Sequence, residues 1–234
     1  MSLESKVNRR DFITKLGLTA AVAALPSTAE ADIICAPLIQ NQRVQARYPN
    51  GWPMYDRRGN PIYIMIPVQV GDDCATYLQF KPVSATPQKK TQWCWAACIE
   101  SLLSYHGVKV PQEVIVQRTF GGLHNEPGYP HQIVGNMNRT DKDMHGKNYR
   151  VQATHYGTIN PLVMANELLR NKPMIVGSQG HATVLTGMKY QKTNLGTNIE
   201  QVTVYDPWFG AIRNYKQSEW GNMNFAAKVD VTKF

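Results

Sequence analysis

Three observations on this chain of 234 residues predict an α+β fold. Apolar residues recur at helical spacing only in its middle, between Trp95 and Leu169. From Met174 onward they gather into short runs of the kind strands use. No internal repeat interrupts that order. Helices grouped ahead of strands, rather than alternating with them, mark an α+β architecture. The length fits one domain with a small appendage. A composition of 43% hydrophobic and 18% charged residues is that of an ordinary globular protein.

The first segment, residues 1–31, reads as an export signal outside the fold. Arg9-Arg10-Asp11-Phe12 precedes an apolar run from Leu16 to Leu25, and Pro26-Ser27-Thr28-Ala29-Glu30-Ala31 supplies a small-x-small cleavage site. The run falls short of the roughly 20 residues that a helix needs to cross a bilayer. Paired arginines before Phe12, with Lys15 after it, resemble a twin-arginine signal. The expected destination is the periplasm or the exterior, with no membrane span in the mature chain.

Residues 32–84 form an N-terminal arm, read either as an inhibitory prosegment or as strands added to the domain. Up to about residue 60 it is rich in Pro, Gly, Asn and Arg and predicts irregular structure. Ile62 to Val70 and Ala75 to Phe80 are apolar runs. Gly71-Asp72-Asp73 between them suggests a hairpin turn, and Pro67 confines the first run to an edge. Pro82 to Pro87 reads as a linker.

The main domain spans residues 85–234. Trp95, Ile99, Leu102 and Leu103 predict an amphipathic helix that stops at His106-Gly107. A second helix runs from Pro111 to about Arg118 and closes at Gly121-Gly122. Residues 122–150, rich in Gly, Asn, Asp and His, predict loop. Asn160 as cap and Pro161 as first residue begin a third helix, stopped by Asn171-Lys172-Pro173. Strands are expected at Met174 to Val176, His181 to Thr186 and Glu200 to Tyr205, with weaker ones at Ala211 to Tyr215 and Phe225 to Val231.

The formal net charge of +8 is spread along the chain. No Lys/Arg block and no aromatic–basic interleaving of the single-strand-binding kind occurs, so nucleic acid is not an expected partner. A mild attraction to anionic envelope surfaces is compatible with the charge. The sequence does not speak to oligomeric state.

Four cysteines are present: Cys35, Cys74, Cys94 and Cys98. Export permits a disulfide, and Cys35 could pair with Cys74, though four cysteines allow three connectivities. Cys94 opens the first helix in Gln88-Lys89-Lys90-Thr91-Gln92-Trp93-Cys94-Trp95-Ala96-Ala97. Free backbone N–H groups and the helix dipole at that position favour a thiolate, which is the nucleophilic form. Cys98, one turn on, suits a core position instead.

Cys-Trp-Ala at a helix start, with Gln six residues before the cysteine, resembles the papain-like cysteine peptidases. Tyr105-His106-Gly107 at the helix end is similar to the short bacterial branch, which includes bacteriocin-processing peptidases and plant-pathogen effector proteases. The resemblance covers about residues 85–215. It implies a papain-like fold with the catalytic helix packed on a twisted antiparallel sheet. It also implies Cys94 as nucleophile and Gln88 as oxyanion donor, with Gln92 a competitor by chemistry but not by spacing.

His181, in Gly180-His181-Ala182-Thr183-Val184, stands at the mouth of an apolar strand, as the branch's base does. Glycine ahead of it would let substrate backbone approach. Asp206, in Asp206-Pro207, ends the next strand and would hold the other ring nitrogen; its alternative role is an Asx turn. The 87 residues from Cys94 to His181 fall short of the papain-type spacing of about 130–150. Thr91 stands where papain's first Cys-x-x-Cys cysteine would be.

The implied reaction is covalent hydrolysis of a peptide or protein amide bond, with no cofactor. A transglutaminase-like amide transfer and a silent papain-fold binding module are the alternatives. The spacings of His124, His131, His145 and His155 match no zinc signature, so no metal is expected.

Overall fold

The computed structural model describes residues 33–78, 80, 87–156 and 159–234. The expected export signal and most of the expected linker lie outside the described residues.

Among the described residues, nine strands form one antiparallel sheet. They are β1 (Ile33–Gln45), β2 (Tyr63–Tyr77), β3 (Arg139–Lys142), β4 (Asn148–Tyr156), β5 (Met174–Ser178), β6 (His181–Thr193), β7 (Gly196–Asp206), β8 (Ala211–Asn214) and β9 (Met223–Lys233). The order is β1-β2-β6-β5-β9-β4-β3, with β7 also on β6 and β8 on β7. The helices are α1 (Cys94–Tyr105), α2 (Gln112–Phe120), α3 (Pro130–Met137), α4 (Pro161–Leu169) and the single turn α5 (Gln217–Trp220).

The strand period of two divides the core between the sheet's faces. Ile175, Val184, Tyr205 and Val229 meet Trp95, Ile99 and Leu102 of α1, together with α2 and α3. Met174, Val176, Leu185 and Val204 meet Met164, Ala165 and Leu168 of α4 on the other face. Each side chain fully buried there contributes about 1.5–3 kcal/mol. Helices on both faces leave α1 no solvent side: Cys94 through Ser104 are all buried. The amphipathic expectation for α1 is corrected accordingly, because α2 and α3 cover its outer surface.

The helix boundaries follow local chemistry. α1 ends at Gly107, left-handed at φ 75. Pro111 is the residue before α2, which runs two residues past the expected end to Gly121, at φ 74. The Asn160 side chain accepts from Leu162 N–H and Val163 N–H at the start of α4.

Three expectations fail. Residues 33–45 are not irregular but a strand, paired with β2 along its whole length and stapled by the Cys35–Cys74 disulfide. Gly71-Asp72-Asp73 is not a turn; β2 runs straight through it. Gly71 is where β6 joins β2, and a Cβ there would lie 2.1 Å from the Lys192 carbonyl oxygen. Residues 63–70 pair with β1 alone, so Pro67 lies where β2 has a free edge. Residues 122–150 hold α3, β3 and the start of β4 rather than loop throughout. β4 buries Tyr149, Val151 and Ala153 in alternation.

Candidate active site

Cys94 is the first residue of α1, and Trp93 is its N-terminal flank. At that position its backbone N–H has no acceptor within the helix, and the first turn carries no acidic residue to oppose a thiolate. Two side chains anchor this start to the loop after α2. Trp93 Nε1 donates to the His124 carbonyl at 2.7 Å and Trp95 Nε1 to that of Glu126 at 3.2 Å.

His181 begins β6 directly after a two-residue turn. Gln179 at φ 52 and Gly180 at φ 78 both take left-handed backbone, and Ser178 pairs with His181 across the turn. That is the hairpin geometry matched to the twist of its strands. Gly180 therefore serves the turn. Antiparallel pairing sets the end of β7 beside the start of β6, which brings Asp206 to His181.

The contacts form a chain of alternating charge. His181 Nε2 lies 2.8 Å from Asp206 Oδ1, which leaves Nδ1 as the ring nitrogen for the hydrogen bond with Cys94. Asp206 Oδ2 accepts from Arg213 Nε at 2.7 Å. Arg213 in turn donates through Nη1 and Nη2 to Glu219 at 2.9 and 2.7 Å. Asp206 Oδ1 also accepts from Trp208 N–H at 2.9 Å. The Asx turn and the histidine contact thus coexist on one carboxylate.

Burial and partners set the ionisation of each group. Burial favours the neutral Cys94 thiol, but hydrogen bonds from His181, Ala182 N–H and Trp95 N–H outweigh it and hold its pKa below the ordinary value. Burial also favours neutral His181; the bonds to Asp206 and Cys94 override it and raise the imidazole to about 9. Asp206, 1% exposed, pays a burial penalty that His181, Arg213 and Trp208 N–H overcome, and its pKa falls. Cys98 is the contrast. Its full burial, then the charges of Cys94 and Asp206, push its thiol well up.

Gln88 lies in the loop before α1, pinned on both sides. Its N–H donates to the Pro207 carbonyl at 2.8 Å. Gln112 of α2 holds its neighbours, accepting from Lys89 N–H at 3.0 Å while donating to Glu100 at 2.7 Å. The Gln88 amide donates to the carbonyls of Lys90 and Thr91, at 3.0 and 2.8 Å, and its Oε1 is buried without a partner. Both Nε2 protons are thus engaged within the loop. Gln92 N–H donates to the Asn125 side-chain oxygen at 3.0 Å.

Three of the other histidines meet aromatic rings. His155 stacks on Phe225 and His131 on Tyr129, and His124 meets Phe120 edge-on. Burial, then Lys233 and Lys172, lower His106 to about 4. Among the described residues, no three His, Cys, Asp or Glu side chains group as a metal site. No described helix is long and apolar enough to cross a membrane.

Residues 79–228 match the model of the Peptidase_C39 like family. The chain belongs to that family. That membership supports the reading of a cysteine-type peptidase of papain-like fold. No curated protein matches the sequence. Among solved structures, the crystal structure of UfSP from C. elegans is similar at 13% identity and a TM-score of 0.34. The alignment covers 70% of this chain and 34% of that one, so the chain spans about a third of its length.

Arg213 and Gln112 were not singled out from the sequence. An arginine two residues into a short strand carries no motif; its role is visible only once β8 pairs with β7. The backbone N–H groups of Ala182 and Trp208 leave no trace in side-chain identity at all.

Proposed function

We propose that this peptidase hydrolyses peptide bonds through Cys94, His181 and Asp206. The observation that carries the reading is the continuous hydrogen-bonded run from the Cys94 thiol through the His181 ring to the buried Asp206 carboxylate. In the resting enzyme Cys94 is the thiolate and His181 the imidazolium. Cys94 Sγ attacks the scissile carbonyl carbon, and charge develops on its oxygen. His181 passes its proton to the leaving nitrogen as the C–N bond breaks. A water then gives one proton to His181 and attacks the thioester; the C–S bond breaks, the thiolate–imidazolium pair is restored, and the released acid loses its remaining proton to solvent as the carboxylate. Asp206 holds the ring orientation throughout.

The Cys94 backbone N–H and the Gln88 amide are the oxyanion donors in this reading. Gln88 takes that role by releasing the Lys90 or Thr91 carbonyl when substrate arrives. Gln88→Ala should lower kcat about a hundredfold; a drop of less than about threefold would remove Gln88 from the mechanism. α1 is then the catalytic helix.

Residues 1–31 are proposed to direct export to the periplasm or beyond and to be cleaved there. The mass of the chain recovered from that compartment tests this. Residues 32–84 are proposed to be added strands rather than an inhibitory segment, since β2 continues the sheet at β6. The activity test is digestion of an unfolded protein, with new N-termini read by mass spectrometry. Cleavage by the native protein and none by Cys94→Ala supports the reading; equal cleavage by both defeats it.

A further inference from the structure

Beyond the point where β6 ends, β1 and β2 continue as a two-stranded ribbon, with no third strand among the described residues. The pairing of Val44 with Ile64 and of Gln42 with Ile66 sets Val44, Ile64 and Ile66 on one face. Met65 and Tyr63 lie on the other with Arg43, whose guanidinium stacks on the Tyr63 ring at 4.1 Å. Ile64 is 47% and Met65 60% exposed. At the far end two tight turns raise Tyr48, Trp52 and Tyr55, with Trp52 72% exposed.

The charge is one-sided. From Ile39 to Val70 there are four arginines (Arg43, Arg47, Arg57 and Arg58) and one carboxylate, Asp56. Asp56 is occupied in its own turn, accepting from Arg58 N–H, Asn60 N–H and Asn60 Nδ2. Exposed isoleucine, methionine, tyrosine and tryptophan are thus gathered in one ribbon, on both of its faces and at its tip, and such a concentration of exposed apolar side chains marks an interaction site. Arginine beside tryptophan and tyrosine, on an apolar body, suits the boundary between lipid headgroups and acyl chains. The anionic headgroup complements the excess positive charge. A second copy of the chain would set like charges against each other.

We propose that this ribbon, residues 39–70, docks the peptidase on an anionic lipid surface. The aromatic tip and the Ile64–Ile66 segment enter the headgroup region, and the arginines meet lipid phosphates. The Cys35–Cys74 disulfide staples the ribbon at its base, while the body with Cys94 stays in water. The chain lies on the membrane and does not span it.

Sedimentation with vesicles tests this, using the purified protein with its disulfide intact. Vesicles of phosphatidylcholine alone are compared with mixtures containing phosphatidylglycerol. Binding is expected only with phosphatidylglycerol and should weaken as salt rises. The double change Arg57→Glu/Arg58→Glu lies at an exposed turn and spares the pairing; it should lower the partition by about tenfold or more. Trp52→Ser, at constant charge, should lower it by about tenfold. Alkylation of Cys94 in both variants should match the native protein, which shows the body intact. Equal binding to both vesicle types, binding to neither, or binding that survives both variants overturns the proposal. A ribbon-dependent dimer without lipid binding overturns it in favour of self-association.

Discussion

The two ends of β6 belong to different kinds of protein surface. At its start, His181 stands among groups that each have a partner, and Asp206 is almost sealed from water. Past its end, β1 and β2 run on without a neighbour and leave isoleucine, methionine and tryptophan in solvent. One strand thus anchors a region where polar groups are enclosed and a region where apolar groups are exposed. Each reverses the usual placement, and each does so where function is proposed. Enclosure strengthens electrostatics around a reacting thiol. Exposure leaves apolar surface for a partner.

The largest expected effect breaks the first region. His181→Ala should cut peptidase activity by about a thousandfold or more, since removing one member of such a unit disables the rest. Steady-state kinetics on a peptide substrate checks it. The same change should leave vesicle binding untouched, which separates the two regions cleanly.

Arg213→Met comes next. It would leave Asp206 Oδ2 buried without its cation, and breaking a buried pair costs about 3 kcal/mol. Chemical denaturation should show that loss, whereas Arg57→Glu at the ribbon should change stability by less than about 0.5 kcal/mol.

The joint Cys35→Ser/Cys74→Ser change sharpens the contrast from the other side. The bridge closes a separation of 39 residues and contributes about 2–4 kcal/mol by constraining the unfolded chain. Limited proteolysis should then cut first within residues 39–70, while Cys94 keeps its reactivity. Early cutting near Cys94 instead would show that the ribbon and the site are one cooperative unit.

The smallest effect is on pH dependence. His181 is raised above its ordinary 6.5 to about 9. Its contribution to stability is full below 6.5 and is lost as pH rises through about 9. Asp206 is lowered, so its contribution is present above the usual carboxylate range and is lost on acidification. Thermal midpoints should decline on both sides, and His181→Ala should flatten the alkaline limb.

The sequence showed its helices through caps and its candidate site through a family resemblance. Asn160, Gly107 and Gly121 each mark a boundary with a side chain or a backbone angle, and such signals are local. Cys94, His181 and Asp206 could be named as candidates because a helix start, a strand mouth and a strand end each carry residues that resemble the family's motifs. β1 could not, since its strand state comes from pairing with β2 and from the disulfide, not from hydrophobic alternation. Gly71 misled for a related reason: a glycine needed for close approach by β6 looks the same as one needed for a turn. β4 was legible in principle, because Tyr149, Val151 and Ala153 alternate, but the Gly- and Asn-rich stretch before it masked the period. Arg213 depends on strand pairing between β7 and β8, which no local pattern encodes.

The central claim is that Cys94 and His181 form a thiolate–imidazolium pair, and alkylation tests it most directly. The protein is treated with iodoacetamide across pH, alone and as His181→Ala, and the labelled cysteine is identified by mass spectrometry. The account expects Cys94 to label rapidly below pH 7, Cys98 to stay unlabelled in its buried position, and the rapid phase to vanish in His181→Ala. Labelling of Cys94 no faster than an ordinary thiol, or unchanged in that variant, would contradict the account.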